Sequence, residues 1–516
     1  MDNAASALVE APVDAGWGGE TALASPGGAL SRRELLALTD RAARGLRGLG
    51  VEPGDRVALL LPDGPAFAAA FLGAIKLGAV AVPLNTRLAA EDHARLLDDA
   101  EARVAIAAPA LAAPLEALVP RCRIVGWDAL VEGASGERLP AAPAGPDAMA
   151  FWLYSSGTTG APKAAVHCHR TLLAGAGYGR DVLGVGPGDR IFASSKLFFA
   201  YALGNALLIP LALRAESYLA PDWPDPAGVA GVMRHYRPTL FFSVPTFYAR
   251  ALAADLPRTT FSSTRACVSA GERLPREIAA AWRDRFGVEI LDGLGATETV
   301  FMALSQRPGG SRSPATGRPV PGADARLLDE AGRPVAAGER GVLWVRTPSL
   351  AAGYWRRPDA AQRAFVDGWF RTGDLCYRDA DGDYVHCGRD DDSFKVAGMW
   401  VQPSEVEAAA LEHPGVLEAG AVGALAATGL VKPFLFVVAR DASAPAEPLV
   451  AALGGRLSDA LLPHQRPQRI SVVAELPRTT TGKLQRFRLR QLAESGPEAA
   501  APDGRAAGGA ASGAGG

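Results

Sequence analysis

Five cysteines in 516 residues (Cys122, Cys168, Cys267, Cys376 and Cys387) are scattered, odd in number and never in CxxC spacing. This usage argues against a disulfide framework or a cysteine zinc site and suits a reducing compartment. The seven histidines form no metal pattern. In His167-Cys168-His169 the neighbours would point to opposite faces of a strand. A formal net charge of -2 leaves no large basic footprint, so nucleic acid is not an expected partner. The most apolar run, residues 66–84, is broken by Lys76 and Pro83 and reads as a helix followed by a strand, not a membrane span. The N-terminus carries Asp2, Glu10 and Asp14 and no basic stretch ahead of an apolar one, so no signal peptide is expected. These absences predict a cytoplasmic protein with no membrane partner. No internal repeat is present.

The length exceeds what one hydrophobic core serves, and two or more domains are expected. Ser31-Arg32-Arg33-Glu34 is a capping box, followed by Leu35, Leu38, Ala42, Leu46 and Leu49 at helical spacing. Residues 56–61 then read as a buried strand, 65–77 as a helix and 79–82 as a strand. The alternation implies βαβ units and parallel sheet, and it recurs around 190–193, 239–244, 265–269 and 288–291. From 323 to 345, short strands with Asp/Gly turns predict an antiparallel or barrel-like unit. A boundary falls near Gly388-Arg389-Asp390-Asp391-Asp392. Beyond it, Ser404-Glu405-Val406-Glu407 reads as a second capping box, and strands near 416–422, 434–438 and 470–473 complete a small α+β domain. The reading is therefore α/β: a large N-terminal domain (1–389) of several subdomains, a C-terminal domain (390–492), and an Ala/Gly/Pro-rich tail (493–516) expected to be disordered.

Two loops carry chemistry. The first, Ser155-Ser156-Gly157-Thr158-Thr159-Gly160-Ala161-Pro162-Lys163, follows an apolar strand. Its glycines let backbone N–H groups approach phosphate oxygens, its hydroxyls add donors and Lys163 adds a cation. It is not a Walker A loop, because Pro162 stands where glycine is needed before the lysine and Ala164 cannot ligate Mg²⁺. The second, Thr479-Thr480-Thr481-Gly482-Lys483, holds one lysine in a Thr/Gly-rich segment near the C-terminus.

With Gly293-Leu294-Gly295-Ala296-Thr297-Glu298-Thr299, Trp369-Phe370-Arg371-Thr372-Gly373-Asp374-Leu375 and Gly388-Arg389-Asp390-Asp391, these loops make five ordered motifs. The chain thereby resembles the adenylate-forming superfamily of acyl-CoA synthetases, luciferases and peptide-synthetase adenylation domains, over residues 30–490. Lys196-Leu197-Phe198-Phe199-Ala200-Tyr201 and Gly482-Lys483-Leu484-Gln485-Arg486-Phe487 resemble its benzoate-CoA ligase branch. The resemblance implies ATP, Mg²⁺ and a small aromatic acid as ligands, with coenzyme A or a carrier-protein phosphopantetheine as the thiol. It implies that Glu298 helps hold Mg²⁺ and Thr297 contacts the α-phosphate. Asp374 would accept from the ribose hydroxyls with Arg389 nearby, and Ala270, Gly271, Glu272, Asp292 and Gly293 would border the adenine. Lys483 would bridge the substrate carboxylate and the α-phosphate. By the same resemblance the C-terminal domain is mobile and turns about a hinge at Asp391, after which Lys395, Val396, Ala397 and Gly398 line the thiol's approach.

Ala200, Tyr201, Gly295, Val300, Phe301 and Met302 match aryl-pocket positions. Phe301-Met302 stands where benzoate-CoA ligases carry His-Ile, which makes that wall more apolar. Benzoate, 2-aminobenzoate and other small aryl acids all remain open. So do a carrier protein acting in trans, a homodimer and, more remotely, a non-catalytic adenylate-binding protein.

Overall fold

A computed structural model describes residues 3–155, 162–312, 314–390, 392–397, 399–426, 428–478 and 484–495. The chain divides into two compact units, Met1–Asp391 and Asp392–Gly516. Among the described residues, no helix is long and apolar enough to cross a membrane.

Among the described residues the first unit is built on three sheets. One has nine strands, and its centre is parallel: Glu216–Tyr218, Arg190–Ala193, Leu240–Ser243, Ala266–Ser269 and Ile290–Gly295 lie side by side. Met302–Ser305 returns antiparallel on Ile290–Gly295. The second has seven strands, with Met149–Ser155, Val80–Pro83, Arg56–Leu60, Ala102–Ala107 and Arg123–Val125 parallel. Lys163–Cys168 and then Gly353–Tyr354 add to its edge antiparallel. The third, antiparallel throughout, holds the strands expected after residue 323, with Trp369–Arg378 between Gly341–Arg346 and Tyr384–Arg389.

Local sequence chemistry accounts for the first helical layer. Ser31 caps helix Arg32–Gly48 by accepting from the Glu34 N–H, while Glu34 returns a bond from the Ser31 N–H. Leu35, Leu36, Ala42, Ala43 and Leu46 then fall on one buried face, and each large side chain contributes about 1.5–3 kcal/mol by leaving water. Helix Pro65–Lys76 packs against it so closely that a Cβ on Gly73 would stand 2.9 Å from that of Ala42. Lys76, which interrupts the apolar run in the sequence, ends fully buried, paired with Glu10 at 2.7 Å and with Asp40. It ties the N-terminal segment to both helices.

The second unit has a three-stranded sheet, Val416–Leu425, Val431–Ala439 and Arg469–Val472, with a β-hairpin from Phe394–Val396 and Met399–Val401. Its helix Pro403–Leu411 corrects one expectation. The helix starts at Pro403, with Gln402 as N-cap and no side-chain cap bond, so Ser404 does not cap it. Proline is pre-shaped for the first helical position. The Glu407 carboxylate instead accepts from the Ala421 N–H at 2.8 Å and pairs with Arg486.

Lys76→Ala would leave Asp40 buried without its cation, while Glu10 would keep only Arg138, 3.5 Å away. Urea unfolding should show a loss of about 3–5 kcal/mol; an unchanged midpoint would remove this triad from the supports of the fold.

Candidate active site

Ligands of open α/β sheets gather beyond the carboxyl ends of parallel strands, and here Ser155, Ala270, Gly271, Glu272, Thr297 and Glu298 lie at such ends. Ser155 ends one strand and Lys163 begins the next, and the two face each other across the pair, with the Ser155 hydroxyl 3.5 Å from the Lys163 carbonyl. The strands thus bring the two ends of the first loop together. Ser156, Gly157, Thr158, Thr159 and Gly160 lie outside the described residues, as do Lys483, Asp391 and Gly398.

The turn after Ile290–Gly295 carries Thr297 and Glu298. Thr299, fully buried, pins it: its hydroxyl accepts from the Ala296 N–H at 3.0 Å and donates to the Phe301 carbonyl at 2.9 Å. Val300 follows at φ +59°, a strained setting for a β-branched residue. Two contacts from elsewhere hold the same turn. His167 Nε2 stands 2.9 Å from the Thr297 carbonyl and must donate, since a carbonyl only accepts. The Ala351 N–H donates to the Glu298 carbonyl at 2.8 Å.

Residues 351–355 form a strap laced to Lys163–Cys168, with Gly353 opposite Val166 and Tyr354 opposite Ala165. From it the Tyr354 hydroxyl donates to Glu298 Oε1 at 2.7 Å, and Lys163 Nζ lies 5.5 Å from the centre of the Tyr354 ring. Lys163, Tyr354 and Glu298, distant in sequence, therefore form one group. Glu298 is 8% exposed, and among the described residues its Oε2 accepts no hydrogen bond.

Asp374 and Arg389 face each other on paired strands. Arg389 Nη1 lies 3.2 Å from Asp374 Oδ1 and donates to the Thr372 carbonyl at 2.7 Å, while His386 Nε2 lies 3.3 Å from the same carboxylate. Burial pushes the Asp374 carboxyl up, but contact with His386 and the charge of Arg389 outweigh it and hold the group well below the usual carboxylate range. It is an anion with a preset orientation. Asp292 has the opposite fate: burial pushes its carboxyl up to about 8, and its Oδ1 has no partner among the described residues. It lies within strand Ile290–Gly295, directly before Gly293. Ala270, Gly271 and Glu272 follow the neighbouring strand, where Glu272 accepts from the Thr246 hydroxyl at 2.8 Å.

Ala200, Tyr201, Val300, Phe301 and Met302 share one apolar cluster, and Gly295 pairs with Met302 across the adjoining strands. The Tyr201 hydroxyl donates to the Val268 carbonyl at 2.9 Å and lies 3.1 Å from that of Ser243. Phe301 lies where a Cβ on Gly175 would come within 2.2 Å of its ring, so that glycine makes room for it. In the second unit, Lys395 and Val396 lie on the 394–401 hairpin, Ala397 turns it at φ +50°, and the Val396 side chain is buried in that unit's core.

The model of the AMP-binding enzyme family matches residues 11–355, and that of its C-terminal domain matches residues 405–483. The chain belongs to the AMP-binding enzyme family. It is 41% identical to the benzoate--CoA ligase of Thauera aromatica over 503 residues, 95% of each protein. The crystal structure of the anthranilate CoA ligase AuaEII in complex with anthranoyl-AMP superposes with a TM-score of 0.90 at 35% identity, covering 96% of this chain and 98% of that one. A benzoate CoA ligase from Burkholderia xenovorans LB400 gives 0.89 at 38% identity, covering 95% of this chain and all of that one. The adenylate-forming superfamily and its benzoate-CoA ligase-like branch are the chain's place.

An AMP-binding enzyme of this branch takes Mg²⁺ with its ATP, and the donor set fits that use. Among the described residues no group of three His, Cys, Asp or Glu could cage a metal alone. Mg²⁺ is commonly held by one or two carboxylates with the rest of its shell from phosphates and water, which suits the lone Glu298 Oε2. Sequence reasoning missed Tyr354, His167, His386 and Thr299. Tyr354 and His167 act on motif residues from distant segments, His386 acts from the strand paired with that of Asp374, and Thr299 acts through a hydroxyl turned on its own backbone; only Thr299 lies inside a motif.

Burial pushes the His167 imidazole down to about 4. The unfolded chain takes up that proton below about pH 6.5, whereas the folded one stays neutral until about 4. Stability from this group is therefore complete above pH 6.5 and declines as pH falls towards 4, at up to about 1.4 kcal/mol per pH unit. His167→Gln keeps a donor and cannot titrate, so unfolding free energies at pH 7, 6 and 5 should fall less steeply than in the parent. An identical slope would contradict the assignment.

Proposed function

We propose that the chain is an ATP-dependent ligase joining a small aromatic carboxylic acid to coenzyme A. The observation that carries this reading is the likeness to a benzoate--CoA ligase over 95% of both chains. The reaction has two steps. A carboxylate oxygen of the acid attacks the α-phosphorus of ATP, the bond to pyrophosphate breaks, and an aryl-AMP forms. The thiol of coenzyme A then loses its proton and adds to the acyl carbon, and AMP leaves to give the aryl thioester. A free thiol with a pKa of about 8.5 needs little help to ionise.

The residues divide this work. Lys163 and the loop it closes would cradle phosphate oxygens, with Thr297 at the α-phosphate and Lys483 bridging it to the attacking carboxylate. Preorganised charge at this point is the largest expected source of rate. Glu298, oriented by Tyr354, would hold Mg²⁺, which when bound lowers the charge the incoming carboxylate must approach. Asp374, kept ionised by its surroundings, suits two ribose hydroxyls as acceptor. Asp292, whose carboxyl burial pushes up to about 8, would when protonated offer both a donor and an acceptor, as the edge of an adenine requires; its Oδ1, with no partner among the described residues, supports this role.

For the acid, we favour benzoate, then 2-aminobenzoate. The Tyr201 hydroxyl is committed to main-chain carbonyls, and Phe301 and Met302 add no hydrogen-bonding group to the wall. A planar ring gains dispersion contact there, and a polar substituent facing that wall would lose its water without a replacement. A panel of benzoate, 2-amino-, 3-hydroxy- and 4-hydroxybenzoate, scored by pyrophosphate release, should rank benzoate first in kcat/KM. A tenfold preference for 4-hydroxybenzoate would overturn the apolar reading. Running the panel with coenzyme A and with holo carrier proteins separates the two thiols, and turnover with carriers alone would move the acceptor to a protein.

Lys483→Ala should slow adenylation at least about a hundredfold, and near-parental pyrophosphate release would sink its role. Asp391→Pro should spare aryl-AMP formation and impair thioester formation, because a fixed φ obstructs a hinge. Equal loss of both steps would count against a hinge at that residue.

A further inference from the structure

Among the described residues, the Tyr354 side chain touches both Lys163 and Glu298, and no motif reading assigns it a task. Its own position is over-determined. The Ala352 N–H donates to the Val166 carbonyl at 2.8 Å and the Trp355 N–H to the Ala164 carbonyl at 3.0 Å, so main-chain bonds clamp the strap on both sides of it. Trp355 packs on Trp152, with ring centres 4.5 Å apart, and donates from Nε1 to the Asp99 carbonyl at 3.1 Å. The Tyr354 ring itself meets Phe365 edge-on at 5.2 Å. A phenol held by so many contacts that do not involve its hydroxyl can impose a direction on a softer partner.

That partner is Glu298. A glutamate reaches its carboxylate through three rotatable bonds, and burial of an ionised carboxylate without a donor is costly. The Tyr354 hydroxyl supplies the donor to Oε1 and, in doing so, restrains the rotamer and leaves Oε2 without a hydrogen bond among the described residues. The ring face is offered to Lys163 Nζ at 5.5 Å, inside the range of a cation–π contact. One rigid side chain thus sets the spacing between a cation suited to phosphate oxygens and a carboxylate suited to a divalent ion.

We propose that Tyr354 is a positioning residue for metal–nucleotide binding: its hydroxyl orients Glu298 and its ring locates Lys163. This rests on the reading of Glu298 as the metal carboxylate. Tyr354→Phe deletes the first function and keeps the second; Tyr354→Leu deletes both.

The test compares Tyr354→Phe, Tyr354→Leu and Glu298→Gln with the parent. Loss of a hydrogen bond to a charged group corresponds to about tenfold or more. In Tyr354→Phe the Mg²⁺ concentration giving half-maximal adenylation should rise about tenfold. Mn²⁺ affinity of the complex with a non-hydrolysable ATP analogue, read by electron paramagnetic resonance without turnover, should weaken by a similar factor. Thioester formation from supplied benzoyl-AMP should stay at the parental rate. Tyr354→Leu should show the same metal shift plus a higher KM for ATP. A parental metal curve and Mn²⁺ affinity in Tyr354→Phe, with both shifted in Glu298→Gln, would overturn the role of Tyr354 alone. Parental values in Glu298→Gln would overturn the metal reading beneath it. Equal slowing of both half-reactions in Tyr354→Phe would mark a merely structural residue and also overturn the proposal.

Discussion

An ionised carboxylate can be kept nearly out of water only if something donates to it, and much of the site follows from meeting that demand at Glu298. The Tyr354 hydroxyl provides the donor, and it can do so because the 351–355 strap is laced to the strand that starts at Lys163. The same strand sends His167 to the carbonyl of Thr297. A carboxylate and a threonine from one turn and a lysine from a distant segment are therefore held by one antiparallel edge added to a parallel sheet. Parallel strands alone would not bring these side chains together, since their connections carry successive strands away through helices.

Electrostatics then separates two aspartates of similar burial. Asp374 has Arg389 and His386 within 3.3 Å and stays ionised. Asp292 has no cation so close and is pushed up to about 8. Its neighbours hold the first as an anion, whereas burial pushes the second towards the neutral acid. The apolar cluster around Phe301 and Met302 adds a third environment, in which shape and dispersion act without hydrogen bonds.

Legibility in the sequence tracked how local the causes were. The capping box at Ser31 and the helix–strand reading of residues 66–84 hold because their causes lie within a few residues. The box expected at Ser404 does not, because Pro403 takes the first helical position and Arg486 claims Glu407 from across the unit. Lys76 looked like an interruption of an apolar helix; it is a buried ion whose partners come from residues 10 and 40.

The motif order of this chain was enough to place it in the adenylate-forming superfamily, because five motifs in that family's order resemble it over most of the chain. The fold class followed from strand–helix alternation and turn composition. Tertiary structure alone decided that Tyr354 meets Glu298 and Lys163, that His167 holds Thr297, and that the Asp374 and Asp292 carboxyls shift in opposite directions. Those facts depend on strand register and on burial beside particular neighbours. Both are set by packing between segments tens to hundreds of residues apart, which no local pattern encodes.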